Sequence, residues 1–383
     1  MENRTVLISG AGVAGPALAY WLNHHGFRVT VLERAPQLRE GGYKIDIRGA
    51  ALTVAERMGI LDEVRRHATD LRGSTIVDAE GKEVATMSAD FFGMREGEDV
   101  EIMRGDLTRI LYERTRNDVE YLFDDSIKDL RQDEGGVEVA FERAAPRRFD
   151  LVVGADGLHS AVRALAFGPE ARFRRDLGCQ VAIGTVPNHL NLDRWELTYP
   201  MAGKVAIVYR TRRIAEARAM FLYLSGTLDE AFAGAGWEVP RLLDDVRKSR
   251  DFYVDTVSQI HCENWANGRV VLLGDAAYAP SLASGQGTSL ALVGAYVLAG
   301  ELNAIDHRQA FAAYQAQMRE FVALNQKLAP SQLKGMIQRG RAQLWFQLRM
   351  LRLMPKLPGK DKIVARVLEP IRRAANGIAL KDY

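Results

Sequence analysis

The chain has 383 residues, 47% hydrophobic, 26% charged and 8% aromatic. This is the composition of a soluble globular protein of two to three domains, which excludes disordered, collagen-like and small disulfide-stapled classes. With 51 basic against 49 acidic side chains the net charge is +2, so no global field recruits nucleic acid and any polyanion site is local.

Residues 5–9 (TVLIS) are a β-branched strand, a glycine turn follows, and 14–25 has helical apolar spacing before a second strand at 28–33 (RVTVLE). This strand-helix-strand opening is that of a doubly wound parallel sheet. Helical spacing returns at 52–68; 74–87 alternates around a turn-rich 78–82 and predicts a hairpin. A helix is predicted over 103–116, strand pairs over 121–141 around Asp133-Glu134-Gly135-Gly136, and a buried strand at 150–154 (DLVVG). Between 178 and 261 strand-like runs dominate (CQVAIGTV, KVAIVYR, AMFLYLS, FYVDTVSQI), with one helix over 240–249. Residues 269–273 (RVVLL) restore the buried-strand pattern and lead through a glycine turn to a helix over 288–303. Beyond 309 the chain reads as helical, interrupted at Pro330, Pro355 and Pro358. The expected fold is α/β. A discontinuous Rossmann-like domain takes 1–72, 98–172 and 262–325, an inserted mostly β substrate domain takes 73–97 and 173–261, and a C-terminal helical segment takes 326–383.

The uncharged stretches 5–23 and 276–300 are long enough to suggest membrane spans. Gly10, Gly12, Gly15 and Pro16 break the first, and Pro280, Gly285, Gly287 and Gly294 break the second. Each reads as strand-turn-helix, and no secretory signal pattern precedes the first, so a cytoplasmic location is expected. Cys179 and Cys262 form no C-x-x-C unit, and the seven histidines include no H-E-x-x-H, so neither a disulfide framework nor a metal site is expected.

Gly10-Ala11-Gly12-Val13-Ala14-Gly15 fits G-x-G-x-x-G between a strand and a helix. Gly10 allows the tight turn, Gly12 lets backbone N–H groups approach a diphosphate, and Gly15 permits close packing of helix on strand. Glu33 ends the next strand, where an acid accepts hydrogen bonds from ribose hydroxyls and disfavours a 2′-phosphate. Ala14 and Arg34, in the same two turns, complete this set of cofactor-binding candidates. The motif is shared by NAD and FAD sites and leaves that choice open.

Two later segments join it: VVGADGLHSAVR at 152–163 and RVVLLGDAAYAPSLASGQGTSL at 269–290. Together the three resemble the group A FAD-dependent monooxygenases, with the fold of para-hydroxybenzoate hydroxylase, and more closely the tetracycline-inactivating branch. The resemblance spans most of the chain. It implies that Asp156, Gly157 and Arg163 support the diphosphate region and that Gly274 and Asp275 bind the ribityl chain. It also brings Gly285, Gln286, Gly287 and Ser289 to the isoalloxazine, Arg104 (in IMRGDL) to the FAD, and Asp46 (in GYKIDIR) to the ring side. Read from the residues alone, Asp275 and Asp156 also fit helix caps, and Arg104 and Arg163 fit exposed charges. Tyr278, Leu282, Ser289 and Gly294 depart from the family's usual His, Pro, Asn and Asp.

The function implied is an FAD-dependent, NAD(P)H-using monooxygenase that hydroxylates an aromatic or polycyclic small molecule through a C4a-hydroperoxyflavin, consuming O2. No catalytic side chain is assigned, because the cofactor carries the chemistry. No second G-x-G-x-x-G is present, so NADH or NADPH binds transiently. Substrate contacts are expected from Gln180, Tyr199, Phe221 and Leu282, with Tyr209 and Tyr223 on the same strand-like runs. The rival reading is a non-catalytic flavoprotein that sequesters a planar ligand, motivated by Tyr278 and Leu282. A monomer or homodimer is expected, with no nucleic-acid partner.

Between Lys334 and Arg373 stand 11 Lys and Arg against Asp361 and Glu369, a local +9. Leu344, Trp345, Leu348 and Leu351 make a helical stripe. It is expected to be buried across the two domains with its arginines solvated, which disfavours membrane contact.

Overall fold

The computed structural model describes residues 5–39, 41–353 and 360–383. A six-stranded sheet runs in the order Ala266–Asn267, Val270–Leu272, Leu151–Gly154, Thr5–Ser9, Arg28–Glu33, Glu120–Phe123, parallel except at its first pair. Val6, Leu7, Ile8, Val152, Val153, Val271 and Leu272 have no exposed surface, as expected of strands covered on both faces, where apolar runs replace alternation. The helices Ala14–His24 and Gly287–Ala304 pack against each other within this core.

A seven-stranded sheet has the order Tyr253–Ile260, Arg174–Val186, Ala217–Tyr223, Lys204–Arg210, Trp195–Met201, Gly73–Val77, Glu83–Ser88. The hairpin expected at 74–87 thus joins the strands of 174–260 in one sheet. The pair Lys44–Ile47 and Val100–Met103 lies between the two large sheets.

Three expectations are corrected. The helix expected over 52–68 is two helices, Ala50–Arg57 and Leu61–Arg66, parted at Gly59, whose φ of +70° ends the first. Strand Trp195–Met201 went unread, because Pro200 and the scarcity of β-branched residues mask it. Pro330 does not interrupt its helix, which runs His307–Met336. The Gln326 carbonyl, left without a donor by the proline, accepts from the Gln259 side-chain amide at 2.7 Å. Pro355 and Pro358 lie outside the described residues.

The tail departs further. Helix Arg341–Leu353 lies on strands Glu83–Ser88 and Trp195–Met201. Leu344, Leu348 and Leu351 are half-buried there, but Trp345, expected in the same buried stripe, is 62% exposed. On a helix, position 345 lies well round from 344, 348 and 351.

Candidate cofactor and substrate cleft

The cleft begins where strand Thr5–Ser9 ends. Gly10 turns the chain at φ +107°, and a Cβ there would meet the Ala155 carbonyl; a Cβ on Gly15 would collide with the Gly10 carbonyl. Gly12 faces space instead, with the Arg104 guanidinium 3.8 Å from where its Cβ would stand. Helix Ala14–His24 starts there without a side-chain cap, so its first N–H groups are free to meet an anion. Glu33 closes the turn, accepting from the Ala11 and Ala35 N–H groups at 2.9 Å each. Arg34 is exposed beside it.

Across the cleft, Gly274 (φ +65°) presents Asp275 at the start of a short helix. The surrounding protein raises the Asp275 carboxyl above its usual range, and Arg104 partly counters this. Tyr43 lies in the same field: burial raises its hydroxyl, Arg104 opposes and Asp275 adds to it. Gly287 stands with its Cβ position 3.7 Å from Asp275 Oδ1, and Gly285 with its Cβ position 3.8 Å from Asp46 Oδ2. The sequence therefore folds Gly12, Arg104, Asp275, Gly287, Gly285 and Asp46 into one continuous line.

Two groups along that line lack hydrogen-bond partners. Asp46 Oδ2 accepts from Arg48 Nη2 at 2.8 Å, while buried Oδ1 makes no hydrogen bond and has the Arg95 guanidinium at 3.8 Å, and burial raises this carboxyl despite Arg48. Gln286 is fully buried with neither amide atom bonded. Buried orphan polar atoms are rare and costly, and a polar ring edge satisfies both. Together with the open face of Gly12, the cradle fits FAD. Ser289 is buried nearby and accepts from the Arg48 N–H at 3.2 Å.

Two of the expected FAD residues serve the fold. Asp156 accepts from Ser160 Oγ and, at 3.1 Å, from the Val162 N–H, holding the start of helix Ala161–Phe167. This is the capping alternative noted from sequence. Arg163 has no exposed surface; its guanidinium donates to the Ala276 carbonyl (2.9 Å), the Leu158 carbonyl (2.7 Å) and Glu170 (3.1 Å). It anchors the segment behind Asp275, and Arg104 is left as the cation facing the glycine turn. Gly157 takes φ +83° between them.

The seven-stranded sheet forms the far wall, and its register separates the substrate candidates. Gln180 pairs with Tyr223, Ala182 with Phe221, and Tyr199 with Ala206, which puts these side chains on one face. Helices Leu228–Phe232 and Val239–Arg247 cover that face. There Gln180 donates to the Gly226 carbonyl (3.2 Å) and accepts from Tyr223 Oη (3.1 Å), Phe221 packs on Phe232, and Tyr199 meets Trp237. Gln180, Tyr199 and Phe221 therefore face away from the cleft. The opposite face carries Val181, Ile207, Tyr209 and Leu222, packed with Met103 and Ala283, beside Leu282, which is 36% exposed.

That near face holds Tyr209, named in the sequence with the substrate strands, and beside it Arg218 and Lys44, which the sequence reading missed. Tyr209 Oη accepts the Lys44 N–H at 3.2 Å. Arg218 donates to Asp251 Oδ2 at 2.5 Å, has an unpartnered Nε and reaches to Gly41. Lys44 Nζ sits 2.7 Å from Glu196 and 3.5 Å from Glu101. The period-two alternation of 180–183 and 218–222 held the signal, once the amphipathic 239–247 helix is assigned to the other face.

Tyr278 points away from the cleft. Its hydroxyl shares a 2.9 Å hydrogen bond with Tyr314, its ring packs on Trp265, and it fills the volume left by Gly294. Of the two departures that motivated a binding-only reading, Tyr278 is thus accounted for by the packing behind the cleft.

Residues 3–192 match the family described as FAD binding domain. The chain is 47% identical over 350 residues to uncharacterized protein Rv1260 of Mycobacterium tuberculosis, covering 87% of this chain and 94% of that protein. It is 41% identical over 340 residues to a flavin-dependent monooxygenase of an unknown prokaryotic organism, covering 85% and 88%. Among solved structures, the tetracycline destructase Tet(55) superposes with a TM-score of 0.86 at 36% identity, over 100% of this chain and 99% of that one.

Proposed function

This chain belongs to the FAD-binding flavin-dependent monooxygenases, and we propose that it hydroxylates an aromatic or polycyclic small molecule, with NADH or NADPH as a transient electron donor and O2 as co-substrate. Bound FAD supplies the redox chemistry, taking electrons from the nicotinamide and activating dioxygen. What this chain's residues do is bind, orient and exclude water. The observation that carries the reading is the line of Gly12, Arg104, Asp275, Gly287, Gly285 and Asp46, with the buried, unbonded Gln286 amide beside it.

In this reading Gly12 and the N-terminus of helix Ala14–His24 hold the diphosphate, Arg104 supplies its counter-charge, and the spare lone pairs of Glu33 take ribose hydroxyls. Asp275 accepts from the ribityl chain. Asp46 and the Gln286 amide meet the polar edge of the ring. Tyr209 and Arg218 give the substrate its polar contacts, and Leu282 and Ala283 shield the reacting face from water. The destructase likeness at 36% identity supports a polycyclic substrate and a role in antibiotic modification. Polar groups this sparse on an apolar wall suit a planar ring system.

The test is the visible spectrum of the purified protein, followed without oxygen as NADH and then NADPH are added, with and without phenolic and polycyclic compounds. Bleaching accelerated by one compound, with a hydroxylated product on admitting air, is expected. A flavin that every nicotinamide leaves oxidised would overturn the donor assignment. Full flavin occupancy in Asp275→Ala would overturn the assigned cleft.

A further inference from the structure

Among the described residues, the outward side of helix Arg341–Leu353 has no partner. Leu344, Leu348 and Leu351 turn toward the seven-stranded sheet, while Trp345 and Phe346 are 62% and 61% exposed and Leu353 and Met350 are 43% and 39% exposed. Four large apolar side chains on one short helix make a patch of the kind monomeric proteins rarely leave bare. Its rim is basic. Arg341, Arg349 and Arg352 are exposed, and Arg349 lies over the Trp345 ring at 5.6 Å. From 321 to 360 the sequence has eight Lys and Arg and no Asp or Glu.

That charge pattern selects the occupant. A second copy of the chain would set arginines against arginines with no acid in the segment to answer them, since a two-fold contact is self-complementary. An anionic lipid surface answers both halves: headgroup phosphates take the exposed Arg341 and Arg349, while Arg352 donates to the Val84 carbonyl at 2.8 Å, and the acyl boundary takes Trp345, Phe346, Met350 and Leu353. We propose that this face of the helix docks the protein on an anionic bilayer as a peripheral, reversible contact. Among the described residues no helix is long and apolar enough to cross a membrane, which agrees with lying on one. The contact also meets the cleft. Leu333 and Ile337, just ahead of the helix, pack in the apolar cluster with Val181, Ile207, Tyr209 and Ala283, so an apolar substrate dissolved in lipid would arrive beside the wall that receives it.

The experiment is co-sedimentation of the full-length protein with vesicles of equal parts phosphatidylglycerol and phosphatidylcholine, and with phosphatidylcholine alone. Binding to the anionic vesicles is expected to be stronger by on the order of tenfold or more and to weaken with salt. It should be lost in Trp345→Ser/Phe346→Ser and reduced in Arg341→Gln/Arg349→Gln. Melting curves and bound flavin should match wild type, since these side chains point outward. Failure of the wild type to sediment, or equal sedimentation of the variants, overturns the proposal. A dimer that Trp345→Ser/Phe346→Ser dissociates, without vesicle binding, overturns it in favour of a contact between copies.

Discussion

The Tyr278 hydroxyl occupies the space that a side chain on Gly294 would need. The two positions face each other behind the cleft, with Tyr314 bonded to Tyr278 and Met318 packed close to Gly294. Their departures from the family pattern are therefore one exchange of volume, a large residue on one helix answered by none on the other. Gly294→Asp alone overpacks a fully buried site and should cost about 1–3 kcal/mol plus the burial of a charge. Tyr278→His in the same chain removes the clash. Thermal melts of both single variants and the double variant should show coupling, the double being more stable than the sum of the singles. Strict additivity would mean the two side chains do not share the space.

On the proposed function, the two faces of the seven-stranded sheet separate substrate handling from packing. Tyr209→Phe and Met220→Ala, the latter paired with Ile207 on the same face, should change KM or kcat by several-fold with flavin retained. Phe221→Ala, one residue along the same strand, opens a cavity against Phe232 and should cost about 3–5 kcal/mol of stability. The flavin that remains bound should turn over at the wild-type KM. Steady-state kinetics normalised to bound flavin, beside urea unfolding, checks this. A raised KM in Phe221→Ala with unchanged stability would reverse the assignment of the faces.

How much of this was legible in the sequence follows from the range of the interactions. Strand Arg28–Glu33 was read to the residue, because a glycine turn and a β-branched run are local signals. The glycine turn and Asp275 declare themselves by spacing. Which face of a strand a helix covers is a long-range fact, set by where Val239–Arg247 packs, so Gln180, expected at the substrate, instead bonds Gly226 and Tyr223. The motif arginines divide for the same reason. Arg104 and Arg163 are equally charged in sequence, and only the carbonyls of Leu158 and Ala276 show that the second is spent inside the fold. Pro330 is a breaker locally, and the Gln259 amide that satisfies the freed carbonyl comes from a distant strand.

Arg218 is held on the cleft wall by an acid-sensitive clamp. Burial would raise the Asp251 carboxyl, but donation from Ser249 and from Thr185 N–H and Oγ1, with the Arg218 charge, brings it down to about 2. A depressed carboxyl stabilises fully above its unfolded value of about 3.9, and the gain drains away as pH falls through about 2. Asp251 is partly solvated, so its share is about 1–2 kcal/mol after screening. Wild type should lose this increment between about pH 4 and 2, whereas Asp251→Asn should be less stable at neutral pH and lose less on acidification. Melting temperatures across that range decide it; parallel curves for the two proteins would remove Asp251 from the acid response.

Lys44 ties the two-stranded pair Lys44–Ile47 and Val100–Met103 to the seven-stranded sheet through charge. Burial alone would lower its ammonium, yet Glu101 and Glu196 hold it well above the usual lysine value. Glu196 has only 1% of its surface exposed, and its other oxygen finds the Ser74 and Thr198 hydroxyls at 3.4 Å, weak substitutes for a cation. Glu101 keeps Arg95 at 2.7 Å. Lys44→Met therefore strands one carboxylate rather than two. Removing one partner of a buried pair costs about 3–5 kcal/mol, while replacing both by apolar groups is often close to neutral. Lys44→Met should melt far below wild type, and Lys44→Met/Glu196→Met should recover most of the difference. Because the Lys44 backbone N–H also positions Tyr209, the rescued double variant should keep its flavin and its KM. A double variant as unstable as the single would show that Lys44 acts through its packing on the Tyr209 ring, 5.2 Å away, and not through Glu196.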